Sequence, residues 1–114
     1  MQAADSVLED AALQANEMWG QWLGCQPFTI SCCTSATETA DSVNVLVWGD
    51  PTIYSLNAAG VNLTWWTGDI DIVVDPGVAA CNLQTVITHE LGHAVLGPIH
   101  DPAFAIMEPV LTPC

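Results

Sequence analysis

The chain has 114 residues, enough for one small domain, 1–114, built on a single core. It carries 13 Asp plus Glu and no Lys or Arg, a formal net charge of −13, so it has nothing with which to displace counterions from phosphate. Nucleic acid and anionic membrane surfaces are therefore poor partners, and no run approaches the roughly 18 apolar residues of a spanning helix.

Residues 5–23 read as an amphipathic helix. Val7, Leu8, Ala11, Ala12, Ala15, Met18, Trp19 and Trp22 recur at three- and four-residue steps, with Glu9, Asp10, Gln14 and Glu17 on the other side. Asp5 or Ser6 caps its start and Gly24 ends it, and both tryptophans are expected in the core. Strand-like segments follow at Pro27–Thr34, at Ser42–Trp48, where Val43, Val45 and Val47 alternate with Asn44, Leu46 and Trp48, and at Ile53–Leu56. Further strands are predicted at Val61–Trp66 and Gly68–Val74, with turns at Gly49-Asp50-Pro51, Asn57-Ala58-Ala59-Gly60 and Asp75-Pro76-Gly77. Asp69, Asp71 and Asp75 share a parity on the last strand, as a solvated acidic face or a calcium site would. A second helix is predicted over Leu83–Leu96, with Asn82 as N-cap and Gly97-Pro98 as its stop. Helix, strands, helix and tail make an α+β domain with both helices packed on one twisted sheet.

Cys25, Cys32, Cys33, Cys81 and Cys114 form no C-x-x-C pair, which favours disulfides in an oxidising compartment over a zinc knuckle or redox dithiol. The expected pairs are Cys25 with Cys32 or Cys33, and Cys81 with Cys114. Without Lys or Arg the chain offers trypsin-like proteases no site, which suits a protease-rich, extracellular setting. The start, Met1-Gln2-Ala3-Ala4-Asp5, lacks the basic and apolar regions of a secretory signal, so either the protein is not exported by that route or a mature form is seen here.

All three histidines fall in His89-Glu90-Leu91-Gly92-His93-Ala94-Val95-Leu96-Gly97-Pro98-Ile99-His100-Asp101. His89 and His93 are four apart and stack on one helix face, where they can grip one metal ion. His100 follows the Gly-Pro break and supplies a third imidazole. Three protein ligands with one open position is the pattern of catalytic zinc. Such a zinc ion polarises a water, and Glu90, next to the first ligand, is placed to take the proton and pass it to a leaving amine. Gly92 keeps the helix surface low where a neighbouring segment passes.

The segment from Thr88 to Pro109 resembles the active-site region of the metzincin zinc peptidases, most closely the matrixin branch. That family shows H-E-x-x-H-x-x-G-x-x-H followed by a turn carrying a methionine, and Ala105-Ile106-Met107-Glu108-Pro109 is similar to that Met-turn. The Trp-bearing first helix, Ala40-Asp41-Ser42-Val43 and Gly68-Asp69-Ile70 resemble matrixin landmarks more loosely. The resemblance implies a small twisted mixed β-sheet packed on two main helices. It also implies zinc held by His89, His93 and His100, Glu90 as general base, and Met107 flooring the site. The implied function is a zinc-dependent endopeptidase acting on peptide or protein substrates laid along a sheet edge, for which Val61–Trp66 is the candidate. Trp65 and Trp66 point to opposite faces, so at most one meets the cleft.

The chain departs from the family pattern in three ways. Gly97 and His100 each stand one residue late, which leaves Asp101 as the alternative third ligand. Only seven residues follow Met107, so the family's C-terminal helix is expected to be absent, as is the strand before the first helix; Pro109, Val110 and Leu111 would then wall the substrate pocket. Tyr54 is the sole tyrosine, so no tyrosine switch follows the Met-turn. The alternative function is a catalytically weak or inactive metzincin-like domain acting in binding or self-assembly, for which the high apolar content and odd cysteine speak.

Overall fold

The amphipathic N-terminal segment folds as helix α1 (Ser6–Leu23). Asp5 sets its start: the backbone there is extended, and Oδ1 accepts the Leu8 N–H at 2.9 Å. Gly24 ends it at φ 86°, a left-handed conformation that costs glycine little, and its N–H returns to the Gly20 carbonyl. Leu8, Ala11, Ala12, Ala15 and Trp19 are buried, whereas Trp22 lies at the helix end, 44% exposed, and meets Trp19 edge-on. This computed structural model describes residues 1–98, 100 and 107.

Among the described residues, five strands form one mixed sheet in the order β2-β1-β3-β5-β4. They are β1 (Gln2–Ala3), β2 (Ser31–Cys32), β3 (Val45–Trp48), β4 (Gly60–Thr64) and β5 (Ile70–Val74). The first four in that order run parallel, and β4 closes one edge antiparallel to β5, with Asn62 opposite Ile72. Helix α2 (Ala80–Leu96) packs on α1 and across β4 and β5. Leu46, Ile72 and Val74 face both helices, while Val45, Val47 and Val73 face the other way, against Ala36, Val61 and Leu63. The central strands are thus buried on both faces, as parallel strands normally are. The expected small α+β domain, two helices packed on one mixed sheet, is what forms. Among the described residues, no helix is long and apolar enough to cross a membrane.

Several expectations need correction. A strand does precede α1: Gln2 and Ala3 make one, too short for any periodicity to betray, held between Asn44 and Leu46 on one side and Ser31 and Thr34 on the other. The strand expected over Pro27–Thr34 shrinks to Ser31–Cys32. Ile53–Leu56 is no strand. Asp50 accepts the Thr52 N–H at 3.0 Å and Pro51 presets the backbone, so Pro51–Ile53 is a 3-10 turn that leaves Ile53 and Leu56 at the surface. Helix α2 begins at Ala80, capped by Ala79 without a side-chain bond, and Asn82 lies inside it.

Asp69 and Asp71 form no solvated face, Asp75 caps the turn beyond β5 by accepting the Gly77 N–H, and among the described residues the three make no group that could hold a metal ion. Asp71 is fully buried and accepts from the N–H groups of Val45 and Thr39 and from the Trp65 indole, at 3.0, 2.9 and 2.7 Å. Burial lifts its carboxyl above the ordinary value against the pull of those three bonds. Asp69 is buried as well and accepts from the Asp41 N–H and the Thr67 hydroxyl. The pair pins the segment that covers the sheet's second face. Trp65 is spent on that bracing, and Trp66 stands 89% exposed.

The expected bridge from Cys25 does not form. Cys25 is free and exposed just beyond α1, and Cys32 is bonded to its neighbour Cys33 in the stretch entering the sheet edge. Cys81 is disulfide-bonded, and its expected partner Cys114 lies outside the described residues.

Candidate metal centre

Helix α2 puts His89 and His93 one turn apart on the same face. Their Nε2 atoms stand 3.2 Å from each other, with ring centroids 4.8 Å apart. Gly97, at φ 87°, ends the helix with its N–H on the His93 carbonyl, and the chain turns back so that His100 comes within 5.1 Å of both rings, centroid to centroid. One nitrogen from each of the three histidines lies within 4.8 Å of the others, a group that can hold a metal ion. His89 and His93 are half-buried and His100 is exposed, so the cluster opens to one side.

The Gly97 break has a second effect. The His93 Nδ1 lies 3.0 Å from the Gly97 carbonyl, which can only accept, so Nδ1 carries the hydrogen and the Nε2 lone pair is left for a metal. Helix termination and ligand tautomer come from the same residue.

Glu90 sits in the turn between the two helical histidines but is 7% exposed. Burial pushes its carboxyl up to about 7, against the downward pull of the Asn62 backbone N–H. Its surroundings come from β4. Gly60 passes so close that a Cβ there would stand 2.7 Å from Val86 Cγ1 and 3.4 Å from Glu90 Cγ. Two residues on, the Asn62 side-chain amide donates to the Glu90 backbone carbonyl at 2.9 Å, and the Thr64 hydroxyl donates to Asn62 Oδ1 at 3.2 Å.

The core side of the ligand turn is equally crowded. A Cβ on Gly92 would stand 2.6 Å from Trp19 Cζ2 and would overlap the Met107 sulfur. The segment passing over this glycine is therefore α1 together with Met107, both fully buried side chains. The Trp19 indole donates to the Thr88 carbonyl at 2.8 Å, tying α1 to the residue just before the first ligand. Asp101, Pro109, Val110 and Leu111 lie outside the described residues.

The sequence pattern did not single out Asn62, Thr64 or Thr88. A signal for the first two was present in β4: Gly60, Asn62 and Thr64 share one parity, and Val61 and Leu63 the other. Alternation of that kind ordinarily puts the polar face in water, yet here Val61 and Leu63 join the second cluster and Asn62 reaches α2.

The chain matches no protein-family model, no curated protein and no solved structure.

Proposed function

We propose that this protein is a zinc-dependent endopeptidase of the metzincin type, nearest the matrixin branch, with Glu90 as its general base. The observation that carries the reading is the convergence of three imidazoles on one point, with a buried carboxylate in the turn between two of them. The donor set suits the ion. Tetrahedral zinc at about 2.0–2.1 Å from nitrogen sets its ligand atoms roughly 3.3 Å apart, and the two helical nitrogens are 3.2 Å apart. Held by His89, His93 and His100, zinc supplies a Lewis acid that lowers the pKa of water and stabilises developing negative charge.

The chain's own groups do the rest. Glu90 takes the proton of the attacking water and returns it to the leaving amine. His93 is kept in the ligating tautomer by Gly97. Because β4 is an edge strand, an extended peptide adds to it by backbone hydrogen bonds, which brings the scissile bond toward Glu90. Met107 and Trp19 fill the core side of the ligand turn and keep it from shifting.

Zinc quantification paired with cleavage assays on an unstructured polypeptide tests this. The parent is expected to bind one zinc and cleave, and Glu90→Ala to keep the zinc and lose cleavage. A zinc-loaded parent that cleaves nothing refutes the peptidase. In that event the binding or assembly role gains, for which the exposed Ile53, Leu56 and Trp66 speak.

A further inference from the structure

The geometry points to Asn62 as a positioning residue that fixes Glu90 relative to the substrate-binding edge. This assignment rests on the peptidase proposed above. Asn62 holds Glu90 by its backbone: the side-chain amide donates to the Glu90 carbonyl at 2.9 Å. The Thr64 hydroxyl occupies Oδ1, which orients the amide with its nitrogen toward α2. Gly60 removes the side chain that would otherwise separate strand from helix at this level. A peptide paired to β4 and the base carried by α2 are thereby referenced to one residue. Displacement of the base relative to the scissile bond is what the amide prevents. Geometry held by a neighbouring partner is worth about 10–100-fold in rate.

The test is steady-state cleavage of an unstructured peptide by the zinc-loaded full chain and its variants. Asn62→Ala is expected to lower kcat about 10–100-fold with KM within about threefold and zinc stoichiometry unchanged. Asn62→Asp, which turns a carboxylate oxygen on the Glu90 carbonyl, is expected to fall at least as far. Thr64→Val keeps the strand and frees the amide to rotate; a smaller kcat loss, about two- to fivefold, is expected, and this variant serves if both Asn62 variants misfold. A kcat within twofold of the parent in Asn62→Ala, or a loss that follows zinc content, overturns the assignment.

Amide NMR of the parent gives a readout that needs no catalysis. The Asn62 side-chain NH2 is expected to be protected from exchange and to shift in Glu90→Gln. An inactive parent with a protected Asn62 amide removes the peptidase and keeps the positioning contact; an unprotected amide removes the positioning contact whatever the activity.

Discussion

Gly92→Ala adds one methyl group at the most crowded point of the ligand turn. Taken alone, the helix would welcome it, since alanine is better than glycine in a helix interior by about 1 kcal/mol. The new Cβ, however, would stand 2.6 Å from Trp19 Cζ2 and 3.2 Å from Met107 Cε, and would overlap the Met107 sulfur. Overpacking of this kind costs about 1–3 kcal/mol. Trp19 cannot step aside without breaking its indole bond to the Thr88 carbonyl, and a buried donor left unpaired costs about 1–3 kcal/mol more. Crowding therefore beats propensity, and a net loss of about 2–4 kcal/mol is expected. Urea unfolding at unchanged m-value reads it as a drop in midpoint. Met107→Ala in the same chain should make the two losses less than additive, because it vacates the contested space. A Gly92→Ala protein as stable as the parent would show that this turn is not packed as described.

The other expectations are quickly stated. His100→Ala should weaken zinc binding by more than the about 10–100-fold that losing an outer-shell partner costs; unchanged affinity by competitive chelation would move the third ligand elsewhere, with Asp101→Asn the next variant. In metal-free protein, burial raises the Glu90 carboxyl from 4.5 to about 7, so the native state holds a proton that the unfolded state has released. Stability from this group is greatest below pH 4.5 and falls as pH rises through about 7, by about 3 kcal/mol. Urea midpoints at pH 5 and 8 should therefore diverge more in the parent than in Glu90→Gln; equal differences would contradict the burial of this charge. Asp5→Ala removes the α1 cap and the acceptor of the Trp48 indole, 2.7 Å away, and should cost about 2–3 kcal/mol; a thermal-melt loss under about 0.5 kcal/mol would sink that account. Chelation should abolish cleavage and zinc restore it, with activity falling in acid as the imidazoles protonate; a pH optimum below about 5 would count against imidazole ligation.

The elements legible in the sequence were those whose causes are local. The caps Asp5 and Gly24 act on their own helix, the alternation of Val45, Leu46 and Val47 is a property of one strand, and Gly97 stops α2 unaided. What stayed hidden depends on partners far along the chain. Gln2–Ala3 is a strand only because residues near 31 and 45 flank it. Asp71 is buried because the N–H groups of Thr39 and Val45 need an acceptor, and its own neighbours in sequence give no hint of them. Asn82 carried the right chemistry for a cap but sits within the helix, whose first turn needed no side-chain partner. The candidate centre divides the same way. The spacing of His89 and His93 and the position of Glu90 between them were plain, whereas the supports from Asn62, Thr64 and Trp19 reach α2 across the fold.

Strand β1 has a consequence for the order in which the domain assembles. It lies between β2 and β3, pairing Gln2 with Ser31 on one side and with Val45 on the other. During synthesis this strand has no partner until the chain has grown well past α1, and both of its edges stay unsatisfied meanwhile. Closure of the sheet is thus a long-range event, of the kind that slows folding and leaves a growing chain open to mispairing. Helix α1, whose backbone bonds and N-cap bond are local, can form early and wait. Helix α2 is synthesised after every strand of the sheet. The turn of α2 alone brings His89 and His93 together, but the supports of that ligand turn from Asn62 and Trp19 exist only once β4 and α1 have packed against it.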